Sequence, residues 1–158
     1  PFLRVGDGDV RVMVGEALGL LSPVQTRSPT LYLDLELPAG GELELPGLGR
    51  DAGGATIPGF ELGIYAVNTD LSVNGAPLAA QHLAGLAGLA GDATLRVAAG
   101  QPARAVVIGG QALGHRHLQW NFVASRRERL LQAREDWAQQ RFPLVPGDED
   151  EFIPLPSS

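Results

Sequence analysis

The 158-residue chain contains no cysteine and no lysine. Without cysteine there can be no disulfide, no thiolate nucleophile and no Cys-based zinc site. The twelve basic residues are therefore all arginines. That usage, with abundant Ala, Gly, Leu and Pro, points to a GC-rich, bacterial genome rather than to a function. No apolar run approaches the length of a membrane span, and no basic-then-apolar leader opens the chain. The expectation is a cytoplasmic protein with no membrane partner. Its first residue is Pro1, either because an initiator methionine was removed or because the chain is a piece of something longer. A basic face is missing as well: the net charge of −6 argues against direct nucleic-acid binding.

Charge is unevenly spread. Residues 1–114 hold six arginines against eleven acids, and 115–142 hold six against three. The tail 143–158 holds four acids and no base. At this length one domain with a single core is expected.

Short alternating segments dominate. "DVRVMVGEA" sets Val10, Val12 and Val14 on one face and Arg11 and Met13 on the other. "LYLDLELPAG" turns Leu31, Leu33, Leu35 and Leu37 inward and Tyr32, Asp34 and Glu36 outward, the period of a half-buried antiparallel strand. The segments 42–45, 60–67, 71–73, 94–98 and 103–109 continue the series. Pro38-Ala39-Gly40-Gly41, Asn68-Thr69-Asp70, Asn74-Gly75 and Ala99-Gly100 punctuate it as turns. This pattern predicts an all-β sandwich or barrel.

Two glycine-rich stretches interrupt it. Residues 46–59 form a loop that no strand–loop–helix context qualifies as a phosphate cradle. "LAGLAGLAGD" at 83–92 reads as a barrel corner with close backbone packing, or as a short helical turn. One helix is predicted, from Arg126 to about Arg141. Ser125 and Glu128 are spaced as a capping box, and Leu130, Leu131, Ala133, Trp137 and Ala138 share a stripe. In the tail, Pro154 and Pro156 forbid a helix, so Phe152, Ile153 and Leu155 are expected to strap back in extended form. The expected organisation is a barrel over 1–124, a helix packed on it over 125–142, and an acidic, proline-rich tail over 143–158.

Three segments together carry a resemblance: "VRVMVGEALGLLSPVQTRSPTLYLDLELPAG", "GGQALGHRHLQWNFVASRRERLLQAREDWAQQRF" and "VPGDEDEFIPLP". They resemble the C-terminal half of the pirin family, two-domain members of the cupin superfamily. The resemblance is most specific over 109–156 and weakest from about 47 to 100. It implies a cupin barrel, a double-stranded β-helix or jelly roll, with one C-terminal α-helix. In that family a non-haem iron sits in the N-terminal cupin, held by histidines and a glutamate, and the C-terminal cupin usually has none. The resemblance thus implies no cofactor in this chain and iron in a half not seen here.

The residues test that implication. A metal-binding cupin shows G-x5-H-x-H-x(3–4)-E-x6-G and then P-x-G-x2-H-x3-N, whose ligands converge inside the barrel. In the best register Glu61 takes the glutamate position, while the histidine slots fall among Gly54, Ala55, Thr56 and Ile57. At "LAGDAT", Leu89 replaces the proline and Thr94 the histidine. Three of four ligands are gone, and a lone Glu61 is expected to be structural or solvated.

Gly109, His115 and His117 match the opening of the first motif by formula, but Asn121 and Phe122 stand where its glutamate is due. By position this is a last strand leaving the barrel, with Leu118, Trp120 and Phe122 inward. His115 and His117 are expected to donate hydrogen bonds near a strand end. With Glu61 they remain the metal candidates, the alternative being a metal shared with a carboxylate from elsewhere. His82 is expected at the surface or at a corner, and Trp120 and Trp137 as packing anchors. The arginines 126–129 read as a solvated helix face, with the chain's own acidic tail as a candidate partner. No nucleophile–histidine–acid arrangement and no paired carboxylates stand out, so no catalytic residue is expected.

Three functions remain. The first is a metal-free cupin domain, structural partner to a metal-bearing half or paired with a homodimer mate. The second, implied by the resemblance, is part of a quercetin 2,3-dioxygenase. The third is a regulatory protein-interaction module resembling a transcription co-factor.

Overall fold

The computed structural model describes residues 1–89, 94–148 and 150–156. Among the described residues fourteen strands and one helix follow in order: β1 Phe2–Val5, β2 Gly8–Val14, β3 Glu16–Ala17, β4 Leu20–Leu21, β5 Thr30–Leu37, β6 Glu42–Pro46, β7 Phe60–Ala66, β8 Leu71–Val73, β9 Ala76–Leu78, β10 Leu83–Gly85, β11 Thr94–Ala98, β12 Ala103–Gln111, β13 His117–Gln119, β14 Phe122–Ala124 and α1 Arg127–Ala138. The chain falls into two compact units, Pro1–Ala112 and Leu113–Ser158.

The first unit is the β-barrel. Its larger sheet has the order β1-β2-β5-β12-β7-β10 and its smaller one β6-β11-β8-β9, with every named pairing antiparallel. Register follows the alternation. Val12, Leu33, Val107 and Ile64 oppose one another across four strands, and Val10, Leu35, Ala105 and Ala66 form the adjacent row. A slip of one residue would turn every one of these side chains to the other face. From the smaller sheet, Leu43 and Leu45 pair with Val97 and Leu95. Both inward faces contribute to a single buried cluster. A fully buried side chain of this size contributes roughly 1.5–3 kcal/mol in transfer free energy, and the cluster is built mainly from strand residues, with Leu48 and Ala99 added from loops.

Several local expectations are corrected here. Residues 2–5 form a strand, joined to β2 by a tight Gly6-Asp7 turn with Gly6 at φ +55. The stretch from 83 opens as neither helix nor corner: Leu83–Gly85 is an edge strand paired with β7, while 90–92 lie outside the described residues. The expected loop over 46–59 holds beyond Pro46, where β6 ends, and it closes as a tight corner. Asp51 Oδ1 accepts from the amides of Gly53 (3.0 Å) and Ala55 (2.9 Å), and an isolated bridge joins Arg50 to Thr56. Buried Leu48 anchors its start.

The second unit differs more from expectation. Residues 117–124 fold as a hairpin, β13 against β14, and not as one exit strand. The turn is Trp120-Asn121, with Trp120 in the left-handed region at φ +52. Leu118, expected inward, is 73% exposed. Helix α1 packs against this hairpin. Its N-cap is Arg126, without a side-chain cap, so the capping box of Ser125 and Glu128 does not form. Glu128 still lies in the first turn, where its charge suits the helix dipole. The predicted stripe narrows to Leu130, the one buried residue of the helix, and half-buried Ala133 and Trp137; Leu131 is exposed.

Aromatic rings hold this unit together. Trp120 meets Phe122 at 5.6 Å and Trp137 at 5.3 Å, both edge to face, and Phe142 stacks on Phe122 at 5.9 Å. The tail returns as expected: Phe152 stacks on Trp137 at 5.6 Å, and Trp137 Nε1 donates to the Ile153 carbonyl at 2.8 Å.

Candidate functional site

In a barrel of this kind a metal centre would stand inside, so the interior decides what the fold can do. The innermost positions carry Leu33, Leu35, Leu43, Leu45, Ile64, Leu95, Val97 and Val107, all with less than 2% of their surface exposed. The interior is packed with aliphatic side chains that have no lone pair to offer a metal.

Each candidate ligand lies elsewhere. Glu61 is exposed on β7, opposite Gly110; its neighbours Leu62 and Ile64 show why, since alternation buries Leu62 and turns Glu61 outward. Gly54, Ala55 and Thr56 are exposed in the Asp51 loop and Ile57 is half-buried there. For the second motif, Leu89 and Thr94 are both half-buried, Thr94 opening β11 opposite Pro46; residues 90–93 lie outside the described residues. Among the described residues no group of three or more histidines and acids is arranged to hold a metal ion.

His115 and His117 do come together. Their rings meet edge to face at 4.7 Å, His115 exposed before the hairpin and His117 half-buried at the head of β13, opposite Ala124. The carbonyl of His115 accepts from Arg116 Nη1 at 3.0 Å. His82 is exposed, and its Nδ1 lies 2.9 Å from the Ala80 carbonyl oxygen, in the corner where it was expected.

The most developed polar arrangement is one that alternation concealed. Asp34, on the outer face of β5, is only 6% exposed. Arg104 of β12 donates to both its oxygens, Nε to Oδ1 at 2.7 Å and Nη2 to Oδ2 at 3.1 Å. The backbone amide of Arg104 in turn donates to Asn68 Oδ1 at 2.7 Å, which seats the arginine at the end of β12. The hydrogen bond to Asp34, and then its charge, hold the Arg104 pKa above the ordinary arginine value. The two residues are far apart in sequence and register-related only through the sheet, so no local signal marks them.

Residues 32–143 match the family model described as the pirin C-terminal cupin domain. The chain belongs to the pirin family. It is 33% identical over 156 residues to a pirin-like protein of Caulobacter vibrioides, spanning 99% of this chain and 50% of that one. A crystal structure titled quercetin 2,3-dioxygenase, from Acinetobacter baumannii, superposes with a TM-score of 0.80 at 27% identity, over 100% of this chain and 50% of that one. GK1651 from Geobacillus kaustophilus, at 16% identity and a TM-score of 0.55 over 73% of this chain and 44% of that one, shares the fold. This pirin-family chain is therefore a cupin β-barrel with a C-terminal helix, and it spans about half the length of the relatives it matches. No described helix is long and apolar enough to cross a membrane.

Proposed function

We propose that this chain is a metal-free cupin domain of a pirin-like protein, acting as the structural and interaction partner of a metal-bearing cupin half. The observation that carries this reading is the filled interior. Where a metal-binding cupin needs converging nitrogen and oxygen ligands, aliphatic side chains interdigitate. A barrel packed in this way has no room for a substrate beside a metal, and its value to a larger protein is its surfaces. Iron, in this reading, belongs to the other half and not to His115, His117 or Glu61. The test is elemental analysis of the purified chain after expression in iron-supplemented medium. Iron well below one equivalent is expected; a stoichiometric amount that survives chelation would overturn the reading.

A second reading is favoured by the superposition of this whole chain on half of a protein titled quercetin 2,3-dioxygenase. The chain would then be the non-catalytic half of such an enzyme. Quercetin turnover by a longer polypeptide containing this domain, and none by the chain alone, is the expected outcome. Turnover by the isolated chain would refute both readings.

A further inference from the structure

His115 and His117 stand together in the second unit, and neither reading of the barrel uses them. Extended chain sends side chains two residues apart to the same side. Here the ring centroids lie 4.7 Å apart with their planes at 85°. With metal–nitrogen bonds of about 2.0–2.1 Å, two imidazoles on one ion have centroids roughly 4.5 Å apart at a right angle and roughly 5.2 Å apart at the tetrahedral angle. The observed spacing falls between these values and nearer the first. The two rings are already at the separation that a shared ion requires.

Their nitrogens are also available. Among the described residues no hydrogen bond uses any ring nitrogen of this pair, so the bonds expected of them near the strand end do not form. His82 differs, with its Nδ1 2.9 Å from the Ala80 carbonyl oxygen. His117 is half-buried and set by the pairing of β13 with β14, while His115 is exposed beside it. One arm of a chelate is thus placed in advance and the other can adjust, which limits the ordering that binding requires.

The donor set selects the ion. Among the described residues no third histidine or acid joins the pair. Two imidazoles without a carboxylate do not make the two-histidine, one-carboxylate set of a non-haem iron, and they offer no oxygen to Ca2+ or Mg2+. A structural zinc asks for four protein ligands. Imidazole nitrogen holds Cu2+ most tightly among the first-row divalent ions, and Cu2+ favours ligands near right angles. Arg116, between the two histidines, is exposed and turns its Nη1 back to the His115 carbonyl at 3.0 Å, where solvent screens its charge. We infer that His115 and His117 hold Cu2+ as a two-nitrogen chelate, its other positions open to water or to a donor from outside the chain. Both ligands belong to the second unit, so the inference stands whether or not the barrel holds iron.

Titration of the tag-free full chain with copper sulfate at neutral pH, followed by electron paramagnetic resonance, tests this. The first equivalent is expected to show splitting from imidazole nitrogen. His115→Ala and His117→Ala are each expected to weaken binding about tenfold or more, because a chelate becomes a single contact. His115 is exposed and precedes the hairpin, so its replacement reads the site even if His117→Ala disturbs β13. His82→Ala should leave the affinity unchanged. A wild-type chain that takes up no copper overturns the inference, as does copper held as tightly by His115→Ala as by the wild type, or a loss in His82→Ala as large as in His115→Ala. Iron content of the same chain reads the proposed function separately.

Discussion

Arg104 grips Asp34 with two hydrogen bonds, 2.7 and 3.1 Å long, on a sheet face where alternation alone would leave both residues to water. Its asymmetry matters: Asp34 is buried and Arg104 is largely exposed. Removing the arginine strands a buried carboxylate, whereas removing both charges leaves nothing unpaired. Arg104→Ala is therefore expected to lower the melting temperature more than the double variant Asp34→Leu/Arg104→Leu, read by thermal denaturation. Because Asp34 raises the Arg104 pKa, the arginine's contribution is complete below the ordinary arginine value and is lost only as pH climbs through the raised one. The deficit of Arg104→Ala should thus stay constant from neutral to mildly alkaline pH. A deficit that disappears over that range would contradict the assignment.

Gly15 sits at φ +83, and a Cβ built there would lie 2.0 Å from the Thr30 carbonyl oxygen. Gly15→Ala combines an unfavourable backbone conformation with a clash against main chain that cannot move aside. A loss of about 2–4 kcal/mol is expected in urea denaturation. Gly40→Ala, at φ +72 but with nothing near its Cβ, is the comparison, and should cost only about 1 kcal/mol.

Most of the barrel was legible in the sequence because half-buried strands write their geometry directly as alternation. Leu31, Leu33, Leu35 and Leu37 are buried as their spacing predicts. The hairpin over 117–124 was not legible. Its alternation, Leu118-Trp120-Phe122, is compatible with one strand, and only the left-handed conformation of Trp120 turns the chain back; such a conformation at a bulky residue leaves no sequence signal. The ion pair of Asp34 and Arg104 depends on the register of two strands that are 70 residues apart, which no local pattern encodes.

The core should answer to cavity arithmetic. Leu35→Ala and Leu95→Ala remove fully buried side chains from opposite sheets, and each is expected to cost about 2–5 kcal/mol in chemical denaturation. A change near zero at either position would mean that the two sheets do not share a core.

In the second unit, Trp137 ties down the tail through its stacked contact with Phe152 and its hydrogen bond to the Ile153 carbonyl. Phe152→Ala is expected to speed limited proteolysis of the tail next to Phe152 and to shift tryptophan emission to the red. The loss in stability should be about 0.5–1.5 kcal/mol, the scale of one aromatic pair. Unchanged cleavage would show that the stack does not hold the tail.

The aliphatic filling of the barrel also limits how the fold can change. Replacing Leu33 or Ile64 with histidine would bury a polar ring among hydrocarbon with no partner, and stability would fall before any second ligand existed to reward it. A binding centre inside this barrel could not be reached by single tolerated substitutions, because each intermediate folds worse than the chain it came from. The outside of the sheets carries no such restriction. New capabilities in this domain are accordingly channelled to its exterior, where a residue can be exchanged without reopening the core.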